Sequence, residues 1–156
     1  MSIQITLQAV NAAFAKLQQQ TLNLRPILPA IAELIESDIK DNFDAGGRWS
    51  GSGATTLLSG GTEKWKPLAP STLRQKAKRG YRKILISTGE LRNSIEARPE
   101  GNSIVISSNK EYAAIHNFGG KAGRNRSVSI PARPFLVIQK ETLEEVLELV
   151  QDSLAT

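Results

Sequence analysis

Apolar side chains recur along this chain at two different periods, and the change of period divides it. Leu7, Val10, Phe14 and Leu17 are spaced by threes and fours, which predicts a helix within 6–20. Asn23-Leu-Arg-Pro breaks the run, and Pro26 suits the first turn of a second helix. Ile27, Ile31, Leu34, Ile35, Ile39 and Phe43 then form a nearly ideal stripe, ended by Gly46-Gly47, where glycine accepts the left-handed conformation that closes a helix. Between 46 and 63 the periodicity vanishes. Six glycines and many hydroxyls predict a long loop there. Trp49 and the pair Leu57-Leu58 are its apolar residues. Either they pack at the domain edge or Trp49 anchors a partner.

Beyond the loop, Trp65-Lys-Pro-Leu-Ala-Pro leads into a basic helix near 71–79, with Ser71 or Thr72 near its cap and Gly80 beyond its end. Lys83-Ile-Leu-Ile predicts a strand. Ser87-Thr-Gly-Glu90 has capping-box spacing and starts a helical turn through Leu91 to Ile95. Extended residues resume near Ser94–Arg98, turn at Pro99-Glu-Gly-Asn, and return as Ser103-Ile-Val-Ile-Ser, a hairpin. Glu111–Phe118 predicts one or two helical turns stopped by Gly119-Gly120. Val128–Ile138 is extended, but Pro131 and Pro134 keep it from being a regular central strand. The last helix, about Gln139–Leu154, places Leu143, Val146, Leu147, Val150 and Leu154 on one face. No internal repeat is visible. The expected fold is α+β: N-terminal helices, a small mostly antiparallel sheet, and a C-terminal amphipathic helix.

Composition narrows the chemistry. The 156 residues are the size of one domain, so 1–156 is expected to share a single core. There is no cysteine and one histidine, His116. Zinc would need one His plus carboxylates, an unusual set. A Ser-His-Asp triad would have to run through His116, yet no G-x-S-x-G context appears, nor does a phosphate-cradling G-x-x-x-x-G-K-[ST] loop. No enzyme, cofactor or metal is therefore expected. No run approaches the roughly 18–20 apolar residues that cross a bilayer, and Met1-Ser-Ile-Gln-Ile-Thr-Leu lacks signal-peptide character. Synthesis and retention in a cytoplasm are expected.

The charge is unevenly spread. The net value is +5, but residues 64–98 carry ten basic side chains against two acidic. Lys121, Arg124, Arg126 and Arg133 add a second basic stretch. Residues 134–156 reverse sign, with Glu141, Glu144, Glu145, Glu148 and Asp152 against Lys140. Such a layout serves nucleic acid, or lets one copy meet the next through opposite charges.

Each candidate has a plain architectural reading. Gly89 permits a tight turn that delivers Leu91 to the core. Tyr112, Ile115 and Phe118 sit at helical spacing, as core residues would. His116 is expected buried and bonded to backbone, and Gly119-Gly120 to cap the turn. Pro131 and Pro134 stiffen a segment that delivers Phe135 and Leu136 inward. Arg133 either shares that role or faces a carboxylate on the sheet or a neighbouring subunit. The loop Lys121-Ala-Gly-Arg-Asn-Arg-Ser lacks an aromatic to stack on a base. Left to itself it is a solvated loop. Meeting the acidic terminal helix of another copy (Glu144, Glu145, Glu148), it would make a head-to-tail contact able to close into a ring.

Several pieces occur in order: Trp65-Lys-Pro-Leu-Ala-Pro-Ser-Thr-Leu, Ile84-Leu-Ile-Ser-Thr-Gly-Glu-Leu-Arg-Asn-Ser-Ile, Tyr112-Ala-Ala-Ile-His-Asn-Phe-Gly-Gly, Ile130-Pro-Ala-Arg-Pro-Phe-Leu, and an acidic amphipathic helix. The set resembles the virion morphogenesis (tail-completion) family of Mu-like phages and prophages, across roughly residues 27–154. It also resembles a wider group of head-to-tail neck proteins. The glycine-rich stretch at 46–63 looks longer than that family's usual approach to the tryptophan. The resemblance implies a non-enzymatic structural protein of the neck or tail, a tail-completion, terminator or connector component. Such proteins form rings, commonly of six subunits, and join other neck or tail proteins in the virion. The alternative is a basic DNA-binding module, with DNA in the neck channel as the intermediate case.

Overall fold

A computed structural model describes residues 3–6, 24–47 and 64–155. Of the helix expected within 6–20 all but Thr6, and of the loop expected at 46–63 all but Gly46 and Gly47, lie outside the described residues, Trp49 with them. The chain is α+β, as its periodicities predict. A 3-10 turn at Arg25–Ile27 opens helix α1, Leu28–Ala45, with proline in the first turn where an amide hydrogen is dispensable. Its stripe buries Leu28, Ile31, Ala32, Ile35, Ile39 and Phe43. Gly46 ends it at φ +73°, and the Gly47 N–H reaches back to the Asn42 carbonyl at 2.8 Å. A side chain at Gly47 would stand 2.7 Å from the Trp65 ring, so this glycine is needed for the close approach of the indole.

Helix α1 covers a three-stranded antiparallel sheet in the order β1-β3-β2: β1 Ile3–Thr6, β2 Ile95–Glu100 and β3 Ser103–Ser108. Ile106 in the central strand pairs with Ile5 on one side and Ala97 on the other. Pro99 sits on β2, an edge strand that tolerates a missing donor. Helix α2 is Pro70–Lys78, α3 Glu90–Asn93, α4 Ala113–Phe118 and α5 Lys140–Ala155. Val146 and Val150 of α5 join the core of α1 and the sheet. A separate hairpin, β4 Gly120–Ala122 with β5 Val128–Ile130, turns through Arg124–Arg126.

The segment from Phe135 to Gln139 is buried but belongs to neither sheet. Apart from a single β-bridge at Ile138, side chains do much of what a strand ladder would do. Asn117 Oδ1 accepts the N–H groups of Phe135 at 3.0 Å and Leu136 at 3.2 Å. Asn42 Nδ2 donates to the carbonyls of Phe135 at 3.0 Å and Val137 at 2.8 Å. Asp38 Oδ2 accepts the Gln139 N–H at 2.7 Å. Buried backbone groups need partners, and here two helices supply them from polar positions on otherwise apolar faces.

Four local expectations are corrected. Lys83-Ile-Leu-Ile is a turn and not a strand, with Leu85 at φ +57° and the Ile86 carbonyl held by the Lys76 ammonium at 2.7 Å. A short apolar run does not distinguish a strand from an irregular buried segment. Helix α2 has no Ser71 or Thr72 cap; behind Ala69 it starts at Pro70, and the proline ring presets the backbone angle. Helix α3 has no capping box either, because Gly89 at φ +83° is its N-cap and no side chain bonds there. Tyr112 and Phe118 are 41% and 48% exposed. Helix α4 is only six residues long and turns Ala113 and Asn117 inward instead.

Candidate functional site

The sequence pieces that look architectural one by one converge on an open groove of about 800 Å³. One wall is the approach to α2 and its first turns, with Leu68, Thr72 and Lys76. The turn from Leu85 through Thr88-Gly89 to Leu91 forms the floor. Tyr112 and His116 of α4 line it, and Val128, Ile130 and Pro131 form the far wall. Arg133 closes one end.

Arg133 is only 6% exposed. Its Nε donates to the Lys66 carbonyl at 3.0 Å and Nη2 to the Pro67 carbonyl at 3.2 Å. In return Trp65 Nε1 donates to the Pro134 carbonyl at 2.6 Å. The two motifs thus clasp each other, one indole and one guanidinium crossing between neighbouring backbones. Among the described residues Arg133 meets carbonyls and not the carboxylate that was one expectation for it. Burial pushes its pKa down.

His116 is half-buried, and its Nδ1 is buried with no hydrogen-bond partner among the described residues. This corrects the expectation of a ring bonded to backbone; the backbone bonding is done by its own carbonyl, which accepts the Arg133 N–H at 2.8 Å. Burial lowers its pKa, and the nearby Arg133 cation lowers it further. The imidazole should therefore titrate below the ordinary value of about 6.5. Because the folded state holds the proton less well than the unfolded one, its contribution to stability is complete above the unfolded pKa. It is lost as pH falls through the folded pKa. An NMR titration of the single imidazole checks this, and a midpoint above the unfolded value would refute it.

Gly119 and Gly120 do more than stop α4. Gly119 adopts φ +75°, ψ 174°, not a left-handed cap, and a side chain there would lie 2.8 Å from the Ala132 nitrogen. Its bareness lets residues 130–132 pass close to the helix end. Lys121, Arg124 and Arg126 are exposed on the hairpin, whose turn holds Asn125 and Arg126 at φ +56° and +54°. Positive φ is uncommon outside glycine and costs about 1–2 kcal/mol per residue. Gly89 and Leu91 are placed as expected, Leu91 buried. Glu144, Glu145 and Glu148 are exposed on α5, which contributes nothing to the groove wall. Among the described residues no cluster of three or more His, Asp or Glu could hold a metal ion, and no helix is long and apolar enough to cross a membrane.

A family model described as the phage virion morphogenesis family matches residues 5–155. The chain belongs to the phage virion morphogenesis family. A protein of Haemophilus influenzae described as "Mu-like prophage FluMu G protein 2" is 36% identical over 145 residues, covering 93% of this chain and 88% of that protein. No solved structure matches the chain. As a member of the virion morphogenesis family, this protein has a structural, virion-associated role in phage assembly.

Sequence reasoning missed the residues that hold the family's proline-rich segment in place: Asp38, Asn42 and Asn117. A signal existed for two of them. Asp38 and Asn42 fall on the same helix face as Ile31 and Ile35, at spacings of three and four, where a polar side chain must bond something buried.

Proposed function

We propose that this protein is a non-enzymatic component of the head-to-tail neck, acting in tail completion as a terminator or connector ring built from copies of itself. A ring of six is the natural size to test first, and other neck or tail proteins would be its further partners. What carries the reading is the convergence of the family's motifs on one groove, beside a hairpin that exposes Lys121, Arg124 and Arg126. A catalytic site would need a nucleophile beside a base; among the described residues His116 Nδ1 bonds none. The acidic face of α5 supplies the opposite charge, and unlike faces on one copy favour a head-to-tail contact.

Deleting the gene should leave full heads beside separate, unjoined tails by electron microscopy; normal virions would end the proposal. Reversing Arg124 and Arg126 to Glu should weaken assembly of the purified protein and flatten its salt dependence.

One observation favours DNA as a second ligand. Helix α2 buries none of its side chains and carries Arg74, Lys76 and Lys78. Salt-sensitive retention of DNA, with no preference for neck partners, would support that reading instead.

A further inference from the structure

Three features of the groove ask for an occupant. Arg133 is a buried cation whose partners are two carbonyls; among the described residues no carboxylate pairs with it. A buried charge without a counter-charge is costly, and Nη1 is not among its bonded atoms. The imidazole beside it has a buried nitrogen that bonds nothing among the described residues. Tyr112 and Val128, 41% and 53% exposed, present apolar surface into the same space.

The matching surface lies on α5. Leu147 and Leu154 are 50% and 38% exposed, and Glu144, Leu147, Glu148, Gln151 and Leu154 share one face at helical spacing. Glu144 is loosely tied to Lys140 at 3.4 Å, whereas Glu148 makes no ion pair among the described residues. In its own copy α5 packs on α1 and the 25–27 turn, and it lines no part of the groove. A helix about 10 Å across, rising 1.5 Å per residue, fills roughly 800 Å³ in two turns. That is the span from Glu144 to Gln151.

We infer that the groove is the seat for α5 of a second copy, with Leu147 set against Tyr112 and Val128 and the Glu148 carboxylate against Arg133. This rests on the ring reading and gives it a specific interface. The contact is heterologous, so each copy offers one seat and one helix, and repetition closes a ring or extends a filament. The hairpin arginines lie outside the groove lining and govern rate and salt dependence, while the leucine and the buried arginine form the centre that governs affinity.

The test uses the full chain in analytical ultracentrifugation, with wild type, Val128→Glu and Leu147→Glu. Both positions are half-exposed, so the fold should persist, and circular dichroism checks it. Each variant alone should associate about thirtyfold more weakly or worse, the size of a central interface contact. An equimolar mixture should form a dimer and nothing larger, because one intact seat and one intact helix remain. Wild-type rings accompanied by unchanged assembly of both variants would overturn this seat while leaving the ring reading intact. A wild type monomeric at all concentrations would remove the ring and the seat together. If Val128→Glu assembles normally but melts earlier, the groove is covered by this chain's own residues, such as 48–63, and the inference fails. It fails equally if the only loss is DNA retention.

Discussion

Asn42→Asp should destabilise this protein severely, and Asn117→Asp should be tolerated far better. The two asparagines hold the same backbone segment by opposite means. Asn42 donates, through Nδ2, to the carbonyls of Phe135 and Val137. Aspartate at 42 has no such donor when ionised, leaves two carbonyls without those bonds, and sets a carboxylate against them. Breaking such a network costs roughly 3–5 kcal/mol, a large share of the 5–15 kcal/mol typical of a domain. At about 2–4 °C per kcal/mol for a chain of this size, the melting temperature should fall by roughly 6–20 °C. Acid should restore part of the loss, since burial raises that carboxyl's pKa and the protonated form regains one donor. Asn117 accepts, through Oδ1, from two N–H groups, and a carboxylate accepts them as well. Equal melting temperatures for the two variants would refute this account of the segment.

Phe135→Ala is the second large effect. The ring is 1% exposed and lies 4.9 Å from Phe43, which in turn meets Trp65 edge-on at 5.5 Å. Truncation removes one end of this aromatic cluster, the ring packed on Phe43, and leaves a cavity at a cost of about 3–5 kcal/mol. Trp65 should also become wetter, seen as a red shift in fluorescence that persists in a Trp49→Phe background. A melting temperature within a few degrees of wild type would show that the cluster is not central.

Much of this architecture was legible because it is periodic. The stripe from Ile27 to Phe43 maps onto α1, the alternation around Ile104 onto β3, and the spacing of Val146 and Val150 onto α5. Ile3 and Ile5, alternating with Gln4 and Thr6, carried a strand signal that was passed over; four residues are little pattern on their own. The failures occurred where local pattern loses to tertiary context. Ile84-Leu-Ile is apolar enough for a strand, yet it turns at Leu85 to form the groove floor. Tyr112 and Phe118 have core spacing, but a six-residue helix has only one inward face, and Ala113 and Asn117 occupy it. The groove itself was not legible at all. Its walls come from stretches separated by up to some sixty positions, and only folding brings Lys76, His116 and Arg133 near one another. The sequence pointed to these residues as scaffolding for the basic loop; the structure also sets several of them around a cleft.

The pinning of Phe135–Gln139 by side chains has a kinetic consequence. The bonds from Asn42 span 93 and 95 residues, and that from Asp38 spans 101. These contacts close a loop of most of the chain, so their entropic cost comes before their reward. The segment should lock late in refolding, after α1 and the β2–β3 hairpin have formed. Its amides should then exchange with solvent only through global opening, although Ile138 alone makes a β-bridge there. Arg133 and Pro134 directly precede this segment, so one end of the groove takes shape only at that last step. A half-folded copy would offer its neighbour no complete surface to dock on, and assembly would be restricted to finished molecules.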